Sequence, residues 1–207
     1  KDEPIQLVFV SDGLLETTTE AINILTALKN QKLSILSING PFSSGKSALA
    51  SNVINKPNNG FKCDQKTEGI WLWGNPITLN NGSKLLVLDC QGLNKTDPEN
   101  TSQKLFMLSV LLSTCIVYNT QGELTDSILN DFIYYADLSK KIKVDNNDKL
   151  NKIDNLKTYF PELTFVNNSL QSEKIKEIVE KNPLCENVRK LFEKRNYFNS
   201  SNSTELM

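Results

Sequence analysis

Residues 34–38, Ser-Ile-Leu-Ser-Ile, run directly toward Gly40-Pro41-Phe42-Ser43-Ser44-Gly45-Lys46-Ser47, which fits G-x-x-x-x-G-K-[ST], and Ala48-Leu49-Ala50 then opens a helical segment. Strand, glycine-bounded loop and helix in that order is the context in which this pattern cradles phosphate. Few other features restrict a fold so strongly. The loop has to leave the carboxyl end of a buried strand and feed a helix whose N-terminal partial positive charge faces the ligand. Glycines let the loop turn its backbone N–H groups inward, the lysine adds a point charge at the β- and γ-phosphates, and the serine hydroxyl reaches Mg²⁺. The candidate phosphate-binding residues are therefore Gly40, Ser43, Ser44, Gly45, Lys46, Ser47 and Ala48.

A second motif follows in the expected order. Leu85-Leu86-Val87-Leu88 is a continuous apolar run, as for a parallel strand buried on both faces, and ends in Asp89-Cys90-Gln91-Gly92, a D-x-x-G. Asp89 is placed to hold a water of the Mg²⁺ shell, and Gly92 lets its backbone N–H approach a γ-phosphate. Between the two motifs, Thr67 in Gln65-Lys66-Thr67-Glu68-Gly69 stands where a first switch supplies a second hydroxyl to the metal.

The remaining composition narrows the chemistry. The chain has 207 residues, enough for one α/β domain with a real core, and a net charge of −1, which gives no electrostatic case for nucleic acid. It has no histidine, and cysteines 63, 90, 115 and 185 show no C-x-x-C spacing, which removes zinc sites and histidine catalysis. Isolated cysteines suit a reducing compartment, so a cytoplasmic protein is expected. The longest apolar stretch, 105–117, is too short for a bilayer. The first residue Lys1 and the ending at Met207 suggest a piece of a longer polypeptide.

Alternating patterns predict an α/β, three-layer sheet, mainly parallel, with helices on both faces. Strands are expected at 5–10, 34–38, 69–74, 84–88, 115–118 and 164–166. Helices are expected at 19–28, from 48 to about 54, and at 104–113, 127–138, 171–180 and 186–194. Residues 55–60, 94–101 and 145–155 are polar loops, and Asn80-Asn81-Gly82 is a turn joining two adjacent strands. One domain over 1–198 and a polar tail over 199–207 complete this division.

Several stretches together resemble a known family. Pro4-Ile5-Gln6-Leu7-Val8, the phosphate loop, Thr67-Glu68-Gly69-Ile70-Trp71-Leu72-Trp73, Leu88-Asp89-Cys90-Gln91-Gly92-Leu93 and Val117-Tyr118-Asn119 resemble, in order, the large GTPase domain of guanylate-binding proteins in the dynamin superfamily. Atlastins share the glutamine within D-x-x-G. The resemblance implies a P-loop NTPase fold that binds GTP and GDP with Mg²⁺ and hydrolyses GTP. Lys46, Thr67 and Gln91 take the catalytic positions, Gln91 orienting water, and Ser47, Thr67 and (through water) Asp89 hold the metal. It also implies a nucleotide-dependent homodimer, formed on a face built by a later segment.

Two departures bear on activity. The position where the family typically carries a phosphate-loop arginine is Ser43, and the first arginine anywhere is Arg189. Arginine fingers contribute about 10³–10⁵ in rate, so hydrolysis is expected to be slow, with Lys66 a weak substitute. The place of the family's guanine-reading Arg-Asp pair holds Asn168-Ser169, neither a carboxylate. The alternatives are a degenerate module that binds nucleotide without hydrolysis, or one with relaxed base preference. Asn94-Lys95-Thr96-Asp97 and Asn151-Lys152-Ile153-Asp154 both spell N-K-x-D, the guanine motif of small GTPases. The first lies in the second switch and the second lacks a preceding apolar strand, so both are expected to be chance matches.

Overall fold

The structure is a computed structural model that describes residues 1–63, 66–94, 96–97, 99–139 and 160–201. Nine strands among the described residues form one sheet. They are β1 (Pro4–Ser11), β2 (Leu14–Thr17), β3 (Leu33–Asn39), β4 (Ile70–Trp73), β5 (Ile77–Thr78), β6 (Lys84–Cys90), β7 (Cys115–Thr120), β8 (Glu162–Asn167) and β9 (Arg195–Asn199). The order is β2-β1-β4-β6-β3-β7-β8-β9, with β5 beside β6. β6, β3, β7, β8 and β9 run parallel, and an antiparallel flank of β4, β1 and β2 extends one edge.

The helices are α1 (Thr19–Ala27), α2 (Lys46–Val53), α3 (Thr101–Leu112), α4 (Asp126–Ser139), α5 (Ser172–Lys181) and α6 (Glu186–Leu191), with a 3₁₀ turn at Pro183–Cys185. Strand alternation decides which helix each side chain meets. Val87 and Trp73 face α2, where they pack with Ile38, Leu49, Ala50 and Phe61. Leu88 and Leu72 point to the opposite face and pack with Ala21 of α1 and Leu105 of α3. Farther along that face, Tyr118, Phe165 and Phe192 form an aromatic cluster around Phe132, with ring centroids 4.4, 5.3 and 6.1 Å from its own. Asp89, two residues after Val87, is thereby turned toward α2. Trp73 is 3% exposed and packs on Phe61, and Trp71 donates its indole N–H to Glu68 O at 2.9 Å, so both tryptophans serve packing.

The expected strands and helices are present, with additions. β2 is short and mostly exposed, and therefore carries no apolar alternation to reveal it. The strands at β4 and β6 are antiparallel neighbours, but β5 intervenes in sequence and the Leu79–Ser83 turn belongs to the β5–β6 hairpin. The helix expected over 186–194 stops at Leu191, and the chain returns as β9 parallel to β8. Arg195 and Tyr197 fix that return by bonding Glu180 of α5 at 2.9 and 2.6 Å. β9 includes Asn199, one residue beyond the expected domain limit at 198. Helix α3 begins at Thr101 because Asp97 accepts from Ser102 N at 2.9 Å at its entry. Asn94 likewise accepts from Thr96 N, so these two members of the first N-K-x-D match serve a local turn. The second match, with the loop at 145–155, lies outside the described residues.

Candidate functional site

β3 delivers Gly40 at its carboxyl end, and the loop closes on α2, whose N-cap is Gly45. Two neighbours hold the loop from outside. Asn119, at the end of β7, donates to Ser44 O at 2.6 Å, and Leu93 N donates to Gly40 O at 3.0 Å. The second contact brings D-x-x-G against the loop: a Cβ on Gly92 would lie 2.7 Å from Phe42 Cα, so only glycine permits this approach. The close neighbour of Gly92 is thus the loop backbone itself.

Inside the loop, Lys46 is 6% exposed and donates from Nζ to Pro41 O at 2.8 Å. Burial lowers its pKa from the usual lysine value, and the Asp89 charge opposes that shift. Next to it, Ser47, Thr67 and Asp89 meet. Ser47 Oγ donates to Asp89 Oδ2 at 2.6 Å, Thr67 Oγ1 donates to the same oxygen at 3.4 Å, and the two hydroxyls are 3.2 Å apart. Asp89 is 1% exposed, and its Oδ1 has no hydrogen-bond partner. A buried carboxylate oxygen left unmatched beside two hydroxyls is a donor set suited to a hard, oxygen-seeking cation such as Mg²⁺.

Burial pushes the Asp89 pKa up to about 6 from 3.8, against the lowering effect of Ser47, Lys46 and Thr67. Being raised in the fold, it favours the folded state below about pH 4. That contribution is lost as pH rises through 6, to a total of about 3 kcal/mol at 1.4 kcal/mol per unit. Asp89→Asn, whose amide oxygen still accepts from Ser47, is expected to escape this loss. Melting temperatures of the nucleotide-free variant and parent should diverge between pH 4 and 7, the variant being higher at pH 7. Parallel curves would show that the carboxylate is not held in this state.

A cavity of about 280 Å³ opens over the loop, lined by Phe42, Ser43, Gly45, Lys46, Ser47, Ala48, Cys63, Lys66, Thr67 and Gly92. It gathers most of the residues marked in the sequence. Phe42 and Cys63 are additions, since no motif position distinguishes them, and Lys66, expected as a weak substitute for the arginine, lines the cavity as well. Gly40 lies beneath, and Ser44 is buried with its Oγ unpartnered. Gln91 stands apart. Its Oε1 accepts from Gly69 N at 2.9 Å while its own N–H donates to Gly69 O at 2.8 Å. The glutamine expected to orient water instead ties D-x-x-G to the segment after Thr67. Asn168 and Ser169 follow β8, exposed, at the same end of the sheet as the loop.

Comparison with known proteins agrees with this geometry. The family model for the guanylate-binding protein N-terminal domain matches residues 12–197. Human guanylate-binding protein 2 is 32% identical over 157 residues, 73% of this chain and 26% of that protein. Human guanylate-binding protein 7 is 35% identical over 147 residues, 68% of this chain and 23% of that protein. Human guanylate-binding protein 1 is 32% identical over 146 residues, 68% of this chain and 24% of that protein. The chain thus spans about a quarter of the length of these relatives. With its phosphate loop, its D-x-x-G and a family match over most of its length, this chain belongs to the guanylate-binding protein family, within the N-terminal domain.

Proposed function

We propose that the chain is a Mg²⁺-dependent guanine-nucleotide-binding domain that hydrolyses GTP slowly. The observation that carries this reading is the Ser47–Thr67–Asp89 cluster, preassembled beside the buried Lys46 at the floor of the loop cavity. When bound there, Mg²⁺ neutralises charge on the β- and γ-phosphate oxygens. Ser47 and Thr67 supply its hydroxyl ligands, and Asp89 supplies the acceptor for its water shell. Lys46 sets a positive charge at the bridging region, and loop N–H groups donate to the phosphate oxygens. The setting proposed is cytoplasmic, with a second copy as partner in the loaded state. Among the described residues, no helix is long and apolar enough to cross a membrane.

Slow turnover follows from the cations present. Arg189 donates to Val179 O and Asn182 O, and Arg195 is paired with Glu180, both at the β9 edge of the sheet. Lys66 is the cation that lines the cavity beside Lys46, with its side chain 60% exposed and Glu68 at 3.6 Å. Lys66→Ala is expected to lower kcat for GTP about tenfold and leave KM within about twofold, since the charge is needed mainly as the transition state forms. Phosphate release with and without Mg²⁺, in parent and variant, tests both statements. Release that ignores the metal overturns the proposal.

The engagement of Gln91 with Gly69 favours a second reading, a module that binds GTP and does not turn it over. Tight calorimetric binding of GTP, without phosphate release over many hours, would select it.

A further inference from the structure

Thr67 reaches the Ser47–Asp89 cluster from a segment that three other elements hold by a single peptide group. The carbonyl of Glu68 and the N–H of Gly69 belong to that one unit. Its oxygen accepts from Trp71 Nε1 on β4 at 2.9 Å and from Gln6 Nε2 on β1 at 3.3 Å. Its N–H donates to Gln91 Oε1 at 2.9 Å, and the backbone N–H of Gln91 donates to Gly69 O at 2.8 Å. The peptide plane is thereby fixed at both ends, two residues after Thr67. Upstream, Phe61 exchanges two hydrogen bonds with Ser51 Oγ, but six residues away from Thr67. The close grip on Thr67 is the downstream one.

Where that grip acts is set by the geometry of the cluster. Thr67 Oγ1 stands 3.2 Å from Ser47 Oγ and 3.4 Å from Asp89 Oδ2. A hydroxyl already held at the site gives up little freedom when an ion binds, whereas one on a loose segment subtracts the cost of ordering from the affinity. Gln91 supplies the side-chain acceptor in this arrangement. The oxygen with which a glutamine would accept from an attacking water is the one that accepts from Gly69. A cavity of about 620 Å³ borders Gln6, Glu68, Gly69 and Gln91, so water can replace a lost acceptor at the Gly69 N–H. Removing the Gln91 acceptor therefore costs a net hydrogen bond and leaves no buried orphan.

We propose that Gln91 is a positioning residue that sets the affinity for the divalent ion, acting through the Glu68–Gly69 peptide on Thr67. The proposal rests on the phosphate and metal site proposed above and concerns only how Thr67 is held. A net hydrogen bond corresponds to about three- to tenfold in an equilibrium constant. That is less than the roughly 10–100-fold typical of a partner bonded directly to a metal ligand, because Gln91 acts two residues away from Thr67.

Titration calorimetry with the β,γ-imido analogue of GTP, once with Mg²⁺ and once with EDTA, tests it. The ratio of the two dissociation constants measures what the metal contributes. Gln91→Met keeps the length of the side chain and removes the acceptor. It is expected to reduce that ratio about three- to tenfold while the constant in EDTA moves less than about twofold. Gln91→Glu keeps the acceptor and loses the amide donors, and is expected to hold the parent ratio or exceed it. Trp71→Phe releases the oxygen side of the same peptide and should reduce the ratio as well. It carries the test should Gln91→Met melt far below the parent. A ratio unmoved by Gln91→Met and Trp71→Phe overturns the proposal and leaves the metal site standing. A ratio that falls as far in Gln91→Glu as in Gln91→Met also overturns it. A parent whose binding is the same with Mg²⁺ and with EDTA removes the metal site and the proposal together.

Discussion

Lys46→Ala is expected to weaken binding of Mg²⁺–GTP by at least about a hundredfold and to bring phosphate release to background. The reason is the burial of the ammonium: removing one partner of a desolvated charge contact costs about 2–5 kcal/mol. The variant should still fold. Burial already disfavours the charged lysine, so its removal relieves a desolvation cost while leaving Pro41 O to water. A melting temperature within a few degrees of the parent, together with lost binding, separates a missing phosphate contact from a damaged domain. Undiminished GTP binding would show that the loop is not the phosphate site.

The second large effect concerns backbone space. Gly69 has φ +77°, and a Cβ there would lie 2.0 Å from Val8 O. Since Gly69 also exchanges two hydrogen bonds with Gln91, neither β1 nor the D-x-x-G segment moves without loss. Gly69→Ala is expected to cost about 3–5 kcal/mol, a fall of about 6–20 °C in melting temperature for a chain of this size. Gly82 is the control, with φ +79° and no atom within 4 Å of its added Cβ. Gly82→Ala carries the same strain in φ without the collision and should cost about 1 kcal/mol. Equal melting temperatures for the two variants would mean that Gly69 has more room than the structure gives it.

What the sequence reveals here depends on how local the cause is. The phosphate loop, β6 and Asp89 are legible because a strand, a turn and a helix start each leave their mark within a few residues. The meeting of Ser47, Thr67 and Asp89 is legible from motif order together with the family resemblance of the Thr67 segment, though they are 20–42 residues apart. β2 is hidden because an exposed edge strand needs no apolar alternation. β9 is hidden because it is fixed by Glu180, fifteen residues earlier, and by β8. The engagement of Gln91 is equally illegible: its partner is a backbone amide, and every residue has one. Asn168 shows the limit of substitution arguments. The missing carboxylate is visible in the chain, but the closing of its own acceptor by Gly122 depends on two turns meeting.

The bond from Lys46 Nζ to Pro41 O has a consequence for exchange kinetics. An ammonium has three hydrogens, and one anchored on the loop's own carbonyl aims the other two before any phosphate arrives. The side chain does not have to abandon bulk water and search for its rotamer during capture. Entry of the anion is then limited by diffusion and dehydration, and ordering of this lysine adds no delay.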